Sequence, residues 1–190
     1  RLAVSRIVGR DPNTLDEAGL ARAAMESLAE NASDGVVAPL FWGAIFGLPG
    51  IVAYKAINTM DSMIGHRSAR YRHYGMVAAR LDDLVNLIPA RATGLLFMIV
   101  SGQPRRAAAV MLRDARHHRS PNAGWPEGAM AGALNVRLSG PRVYGEEIAD
   151  EPWLNAEGTA ADATTLRRAL TLYLRAMFVL AVVLALVALI

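Results

Sequence analysis

No cysteine occurs among the 190 residues, so the chain has no disulfide framework and no thiolate metal site; the lack fits a reducing compartment. Charge is scarce as well. Charged residues make up 19% of the chain, against about 25% in an ordinary soluble domain, and aromatic residues only 6%. No G-x-x-x-x-G-K-[ST] and no G-x-G-x-x-G is present, which excludes a Walker-type phosphate loop and the dinucleotide fingerprint. His66, His73, His117 and His118 lack H-x-x-x-H or H-E-x-x-H spacing and read as surface or interface residues rather than metal ligands. There is no internal repeat, no low-complexity stretch and no pattern that points to nucleic acid. The chain begins with Arg1, and no basic segment leads into an apolar one, so no signal peptide is expected; further N-terminal sequence is expected to be missing.

What is present is apolar, at 53% of residues, with a net charge of +3 carried mostly by Arg. Arginine suits phosphate, carboxylate and membrane surfaces alike. Residues 14–33 read as a helix opened by a Thr14–Glu17 capping box and stopped at Asp34-Gly35. Residues 36–54 carry no charge and are long enough to span a bilayer, but Pro39, Pro49 and three glycines make a kinked or re-entrant path equally compatible. Residues 55–63 continue as a helix. Residues 77–100 form a second long helical candidate, interrupted by Pro89 and Arg91. Its Arg-rich flanks at 66–73 and 105–119 both favour the cytoplasmic side, a conflict that points to a re-entrant or half-inserted segment. Residues 105–119 read as a basic helix, and 121–152, rich in Gly and Pro, as a long loop or set of turns. Residues 163–190 form a last helix, wholly apolar after Arg175. The expected fold is all-α: a helical integral membrane protein with kinked or re-entrant helices and a Gly/Pro-rich loop region, organised as one membrane-associated catalytic domain over 1–190.

Four clusters can carry chemistry. Arg22, Glu26 and Glu30 recur every four residues on one helix face, with Asn31 and Asp34 beyond; a solvated charged face with an ion pair explains the spacing equally. Lys55, Asn58, Thr59, Asp61 and Ser62 form a polar stripe directly after the uncharged run, where ionisable groups are costly and usually functional; a Lys snorkelling to headgroups is the alternative. Asp82-Asp83-x-x-Asn86 can hold Mg²⁺ through hard oxygens, with Arg80 and Arg91 clamping a phosphate; an acidic first helical turn is the plainer alternative. The loop Ser120-Pro121-Asn122-Ala123-Gly124-Trp125-Pro126-Glu127 is stiff enough to present the Asn122 amide and the Trp125 ring to a flat ligand, or simply to connect two elements.

Three stretches, VGRDPNTLDEAGLARAAMESLAENASDGVVAPLFW (8–42), AYKAINTMDSMIGHRSARYRHYGMVAARLDDLVNLIPAR (53–91) and SPNAGWPEGAMAGALNVRLSGPRVYG (120–145), cover over half the chain and resemble the adenosylcobinamide-phosphate synthase (CobD/CbiB) family in the family's order. Departures are Pro12 and Asn13, where a small hydroxylated residue often follows GRD, and the hydrophobic sequence that family members carry ahead of it. The resemblance implies a cobalamin-biosynthesis ligase that joins adenosylcobyric acid to (R)-1-aminopropan-2-ol phosphate, giving adenosylcobinamide phosphate, driven by ATP with Mg²⁺. It implies catalytic roles for Glu30, Asp34, Lys55 and Asp61. It implies substrate or phosphate binding by Arg22, Asn31, Asn58, Arg80, Arg91, Asn122 and Trp125, and metal binding by Glu26, Glu30, Asp82, Asp83 and Asn86. Implied partners are the corrinoid, aminopropanol phosphate, membrane lipid and other cobalamin-biosynthesis membrane enzymes; the implied location is the inner membrane, multi-pass, with the active site facing the cytoplasm. Glu30, Asp34, Asp82 and Asp83 are then expected to converge on one Mg²⁺-phosphate site, with Lys55, Asn58 and Asp61 facing the same cleft. The competing classes are an Asp-rich Mg²⁺-dependent prenyl- or alcohol-phosphotransferase, for which a second Asp-rich motif is lacking, and a transporter, for which an inverted repeat is lacking.

Overall fold

A computed structural model describes residues 14–65, 72–144 and 147–189. The GRD motif, Pro12, Asn13 and His66 lie outside the described residues. Six α-helices dominate: α1 (Glu17–Asn31), α2 (Ala38–Ile64), α3 (Arg72–Val100), α4 (Pro104–Asp114), α5 (Gly124–Leu134) and α6 (Ala163–Val187). Four short strands, β1 (Leu138–Ser139), β2 (Arg142–Tyr144), β3 (Glu147–Ala149) and β4 (Trp153–Leu154), pair antiparallel as β1–β4 and β2–β3. The chain is an all-α membrane protein, with three helical stretches, Glu17–Ile64, His73–Val100 and Ala163–Val187, long and apolar enough to cross a membrane. Phe46, Leu48 and Val52 on α2, Leu84, Ile88 and Ile99 on α3, and Leu174, Phe178 and Leu186 on α6 are exposed, as lipid-facing side chains would be.

The helix caps differ from the sequence expectation. Asp16, not Thr14, caps α1, its carboxylate accepting from Gly19 N at 2.7 Å. Asp34-Gly35 does not stop the helix. The backbone widens into a π-helical segment, Ala32–Val37, and runs on into α2. Gly lacks a helix-stopping role here because no left-handed residue follows; the extra residue per turn is absorbed locally instead. The expected kink does occur, at Gly47, whose φ of 65° and ψ of −151° are open essentially to glycine alone.

The re-entrant path expected for 77–100 is replaced by one continuous helix of 29 residues, about 43 Å long. Pro89 removes a donor for the carbonyl of Val85. That carbonyl accepts instead from the Trp42 indole N–H at 3.0 Å, so α2 repairs the ladder of α3.

The larger correction concerns 121–152. Rather than a loop, its first part forms α5, which is almost wholly buried. Its glycines and alanines signal close helix packing rather than flexibility. A Cβ on Gly132 would lie 2.7 Å from the Arg106 carbonyl oxygen and 2.8 Å from Ala107 Cα on α4. Arg106 then covers the end of α5, donating from Nε to the Gly132 carbonyl at 2.7 Å. Met25 and Ala29 of α1, Phe97 of α3, Val110 of α4, Met130 of α5 and Ala169 of α6 meet in one core.

Asp114 ties α4 to β4. It holds Arg113 at 2.6 Å and accepts the buried Asn155 N–H at 2.8 Å. Burial works against its charge, but these bonds and the Arg113 and His117 charges outweigh it and hold the carboxyl below its usual range. Because the folded value is the lower one, its stabilisation is present above the unfolded pKa and lost as pH falls through the folded one. Asp114→Asn is therefore expected to lower Tm in detergent at pH 7, with the gap to wild type closing below about pH 4. Gly132→Val is expected to cost about 1–3 kcal/mol through overpacking, read as a Tm loss at every pH.

Candidate functional site

The polar face of α2 meets that of α3 at a line of hydrogen bonds. Tyr54, only 2% exposed, places its hydroxyl 3.0 Å from the Asp34 carbonyl oxygen and 2.9 Å from Asn86 Oδ1. Asn86 Nδ2 donates to Asp82 at 3.0 Å, and Asn58 Nδ2 donates to the other Asp82 oxygen at 3.2 Å. Lys55 Nζ donates to Asn58 Oδ1 at 2.9 Å. One carboxylate is thus gripped by two amides, each oriented by a further group. From α5's approach, Asn122 Nδ2 donates to the Asp83 carbonyl at 2.7 Å, and Arg91 Nη1 lies 3.3 Å from Asn122 Oδ1 while its guanidinium stacks 4.5 Å from the Trp125 ring.

These contacts surround a cleft of about 240 Å³ lined by Glu30, Asp34, Asn58, Asp61, Asp82, Asp83, Asn86 and Asn122, with Ser62, Ser120 and Ala123. Five carboxylates from α1, the π-helical segment, α2 and α3 therefore share one opening. The π-helical segment matters here, since its wider turn carries Asp34 beside Tyr54; such bulges recur at functional sites.

Other residues singled out from sequence stand elsewhere. Lys55 is exposed at the rim, reaching the cleft through Asn58. Arg91 and Trp125 support Asn122 from outside. Asn31 turns back to its own helix, donating to the Ser27 carbonyl at 2.8 Å. Arg80 is exposed and does not line the cleft. Glu26, expected among the metal ligands, is buried and accepts from Ser139 N at 2.8 Å, with Arg22 Nε at 3.9 Å. The reason is helix geometry: a step of four residues rotates about 40°, so Arg22 and Glu30 lie about 80° apart around α1.

Sequence reasoning missed Tyr54, the hub of the network, although a tyrosine at the junction of an apolar run and a polar stripe was a usable signal. It also read His118 as a surface or interface residue, without a role in the site. The His118 side chain is only 7% exposed, with Nε2 3.7 Å from Glu127 Oε2. Its Nδ1 accepts from Ser120 N at 3.1 Å, while Ser120 Oγ accepts from Asn122 N and Ala123 N, each at 3.2 Å. His118 and Ser120 thereby fix the loop that delivers Asn122.

The cleft offers hard oxygen donors, which suit Mg²⁺ better than softer metals. Among the described residues no three His, Asp or Glu side chains gather closely enough to hold a metal ion on their own.

Residues 1–173 match the family described as CobD/Cbib protein. The cobalamin biosynthesis protein CobD of Rhodobacter capsulatus is 66% identical over 190 residues, covering 99% of this chain and 60% of that protein. The protein of the same name from Brucella suis is 58% identical over 180 residues, covering 91% of this chain and 55% of that protein. That of Sinorhizobium fredii is 55% identical over 190 residues, covering 95% and 58%. The chain therefore spans little more than half the length of these relatives. No solved structure matches it. On the extent of the family match and the identity to these relatives, the chain belongs to the CobD/CbiB family of cobalamin biosynthesis proteins.

Proposed function

We propose that the acidic cleft is the reaction centre of an amide-forming ligase that joins adenosylcobyric acid to (R)-1-aminopropan-2-ol phosphate, with ATP and Mg²⁺, at the cytoplasmic side of a multi-pass protein in the inner membrane. The observation that carries this reading is the meeting of Glu30, Asp34, Asp61, Asp82 and Asp83 with three amides in one cleft. The cleft volume is below the range of about 300–1,000 Å³ typical of drug-sized ligands. Only the reacting edge of a corrinoid enters it, while the bulk of the ring stays outside.

The chemistry accounts for the residue types. A carboxylate must be activated before an amine displaces its oxygen. In the simplest route the carboxylate attacks the terminal phosphorus of ATP and ADP leaves; the amine then attacks the acyl carbon, loses a proton, and phosphate departs. Mg²⁺ supplied with ATP neutralises phosphate oxygens, and Asp82, Asp83 and Asn86 are the residues that would hold it. Asp82, held by Asn58 and Asn86, keeps a fixed orientation without reorganisation during reaction. Glu30 and Asp34, which line the cleft, supply the carboxylates from which the general base for the amine is drawn in this reading. Lys55 adds a positive charge at the rim for an entering phosphate, and Asn122 offers an amide to the carboxylate being amidated.

Full-length protein in detergent, supplied with both substrates and ATP-Mg, is expected to yield adenosylcobinamide phosphate by mass spectrometry. A complete lack of product with folded, full-length wild-type protein, or thermal stabilisation by a prenyl diphosphate but not by the corrinoid, overturns the reading. Asp82→Asn is expected to lower kcat roughly 10²-fold or more, because the charge is lost, and to lower Tm as well, because its NH2 then faces one of the two amide donors that the carboxylate accepts. Lys55→Ala is expected to lose a similar factor; near-normal turnover at saturating substrate removes Lys55 from the catalytic set.

A further inference from the structure

Length and hydropathy alone would let Glu17–Ile64 cross a membrane. The geometry of α2 says otherwise, because the helix turns back on itself. Residues eight positions apart stand about 12 Å apart along a straight helix. Yet a Cβ on Gly50 would run into the Trp42 carbonyl oxygen, and one on Gly43 would lie 2.8 Å from Ile51 Cγ1. The Tyr54 hydroxyl is 3.0 Å from the Asp34 carbonyl oxygen, which an unbroken helix would hold about 30 Å away. Trp42 and Tyr54 reach neighbouring residues of α3, the Val85 carbonyl and Asn86 Oδ1. The reversal sits at Gly47, where φ is 65° and ψ −151°. Residues 38–46 and 48–64 are thus the two arms of a helical hairpin, and Gly50 lets them touch.

Residues 36–54 carry no charge. From Val37 to Gly47 the first arm rises about 15 Å, and from Gly47 to Tyr54 the second rises about 10 Å. The hydrocarbon core of a bilayer is about 30 Å thick. The uncharged hairpin is therefore deep enough for one leaflet and too short to cross two. Polar groups return at the base of both arms, with Asp34 before the first and Asn58 and Asp61 on the second, all three lining the acidic cleft.

Around the tip, Ile45, Phe46, Leu48 and Val52 are 52%, 59%, 71% and 60% exposed. An apolar patch of this kind marks a membrane or protein contact. Two features favour lipid. Backbone that reverses in hydrocarbon usually leaves polar groups unpaired. Here the departure from helical geometry is confined to Gly47, and Pro49, in the first turn of the second arm, has no N–H to leave open. On α3, Leu84 and Ile88 flank in sequence the residues that receive Trp42 and Tyr54, and both are exposed, so the tip extends an apolar surface that α3 already presents.

We propose that α2 is a re-entrant hairpin. Its tip, residues 45–48, enters the hydrocarbon of one leaflet, and both arms emerge on the face that carries the acidic cleft, so α2 does not cross the membrane. The cleft then lies about 10 Å above the tip, near the headgroups. This topology does not depend on the chemistry of the cleft.

The test uses full-length protein with any cysteine outside this chain replaced; the chain itself has none. Single cysteines replace the exposed residues Asn31 and Gly35 before the first arm, and Ala56 and Thr59 on the second. A membrane-impermeant maleimide is applied to right-side-out and to inverted vesicles. All four positions are expected to react in the same vesicle orientation, and two sites on each side guard against one variant failing to fold. Reaction of the two pairs from opposite faces overturns the proposal. For the tip, Phe46→Cys and Leu48→Cys carry a nitroxide in phosphatidylcholine vesicles. High collision with oxygen and low collision with a water-soluble nickel complex are expected. Ready access to nickel places the tip in water, and poor access to both reagents places it under protein; either result overturns insertion into lipid.

Discussion

The hydrogen bonds that run from Asp34 through Tyr54, Asn86 and Asp82 to Asn58 hold the two long helices α2 and α3 face to face. Both helices are apolar on their outer sides, and lipid offers no hydrophobic reason for two such helices to associate. Polar groups at that depth must be satisfied by protein, because an unpaired one costs several kcal/mol. The same requirement that binds α2 to α3 thus gathers the carboxylates and amides into one place. Stability and site construction have a common cause here: remove the polar line and the helices lose both their register and the cleft.

The proline and glycine positions follow the same logic. Pro89 leaves the Val85 carbonyl without its helical donor, and the Trp42 indole supplies one from α2. Proline in α3 is therefore tolerated because a neighbouring helix completes the ladder. At α5 the small residues do the complementary job. They bring α4 and α5 backbones so close that no side chain fits at Gly132. That close packing carries the Ser120–Asn122 loop against the N-terminal half of α3, where Asn122 bonds the Asp83 carbonyl.

Much of this was legible in the sequence, because membrane depth makes polar residues conspicuous. Asn58 and Asp61 stood out after an uncharged run, and Asp82, Asp83 and Asn86 stood out within an apolar helix; all line the cleft. Residues whose meaning depends on packing were not legible. The composition of 121–152 reads as a loop, since Gly and Pro are turn formers in water; α5 shows that the same residues form a helix when buried against other helices. Asp34-Gly35 reads as a helix stop, and only the tertiary setting, with Tyr54 bonded to the Asp34 carbonyl, keeps the chain helical through a π-turn. His118 gave no motif at all, because its contact with Ser120 is local and depends on how the loop folds.

The charge stripe on α1 shows how a correct periodicity leads to an incomplete site. Arg22, Glu26 and Glu30 do follow one another by four residues, yet each step drifts about 40° around the axis, so the stripe winds rather than runs straight. Its three members consequently meet three different surroundings: an Arg–Trp pocket, a buried strand amide and an open acidic cleft. A helix only 15 residues long can in this way border two separate cavities without bending. Glu26 lies between them on the helix and meets both Arg22 and the strand. Its carboxylate accepts from the Ser139 N–H at 2.8 Å and lies 3.9 Å from Arg22 Nε, which ties α1 to the β1–β4 pair. The separation of the Arg–Trp pocket from the acidic cleft is therefore set by the pitch of the helix that borders both.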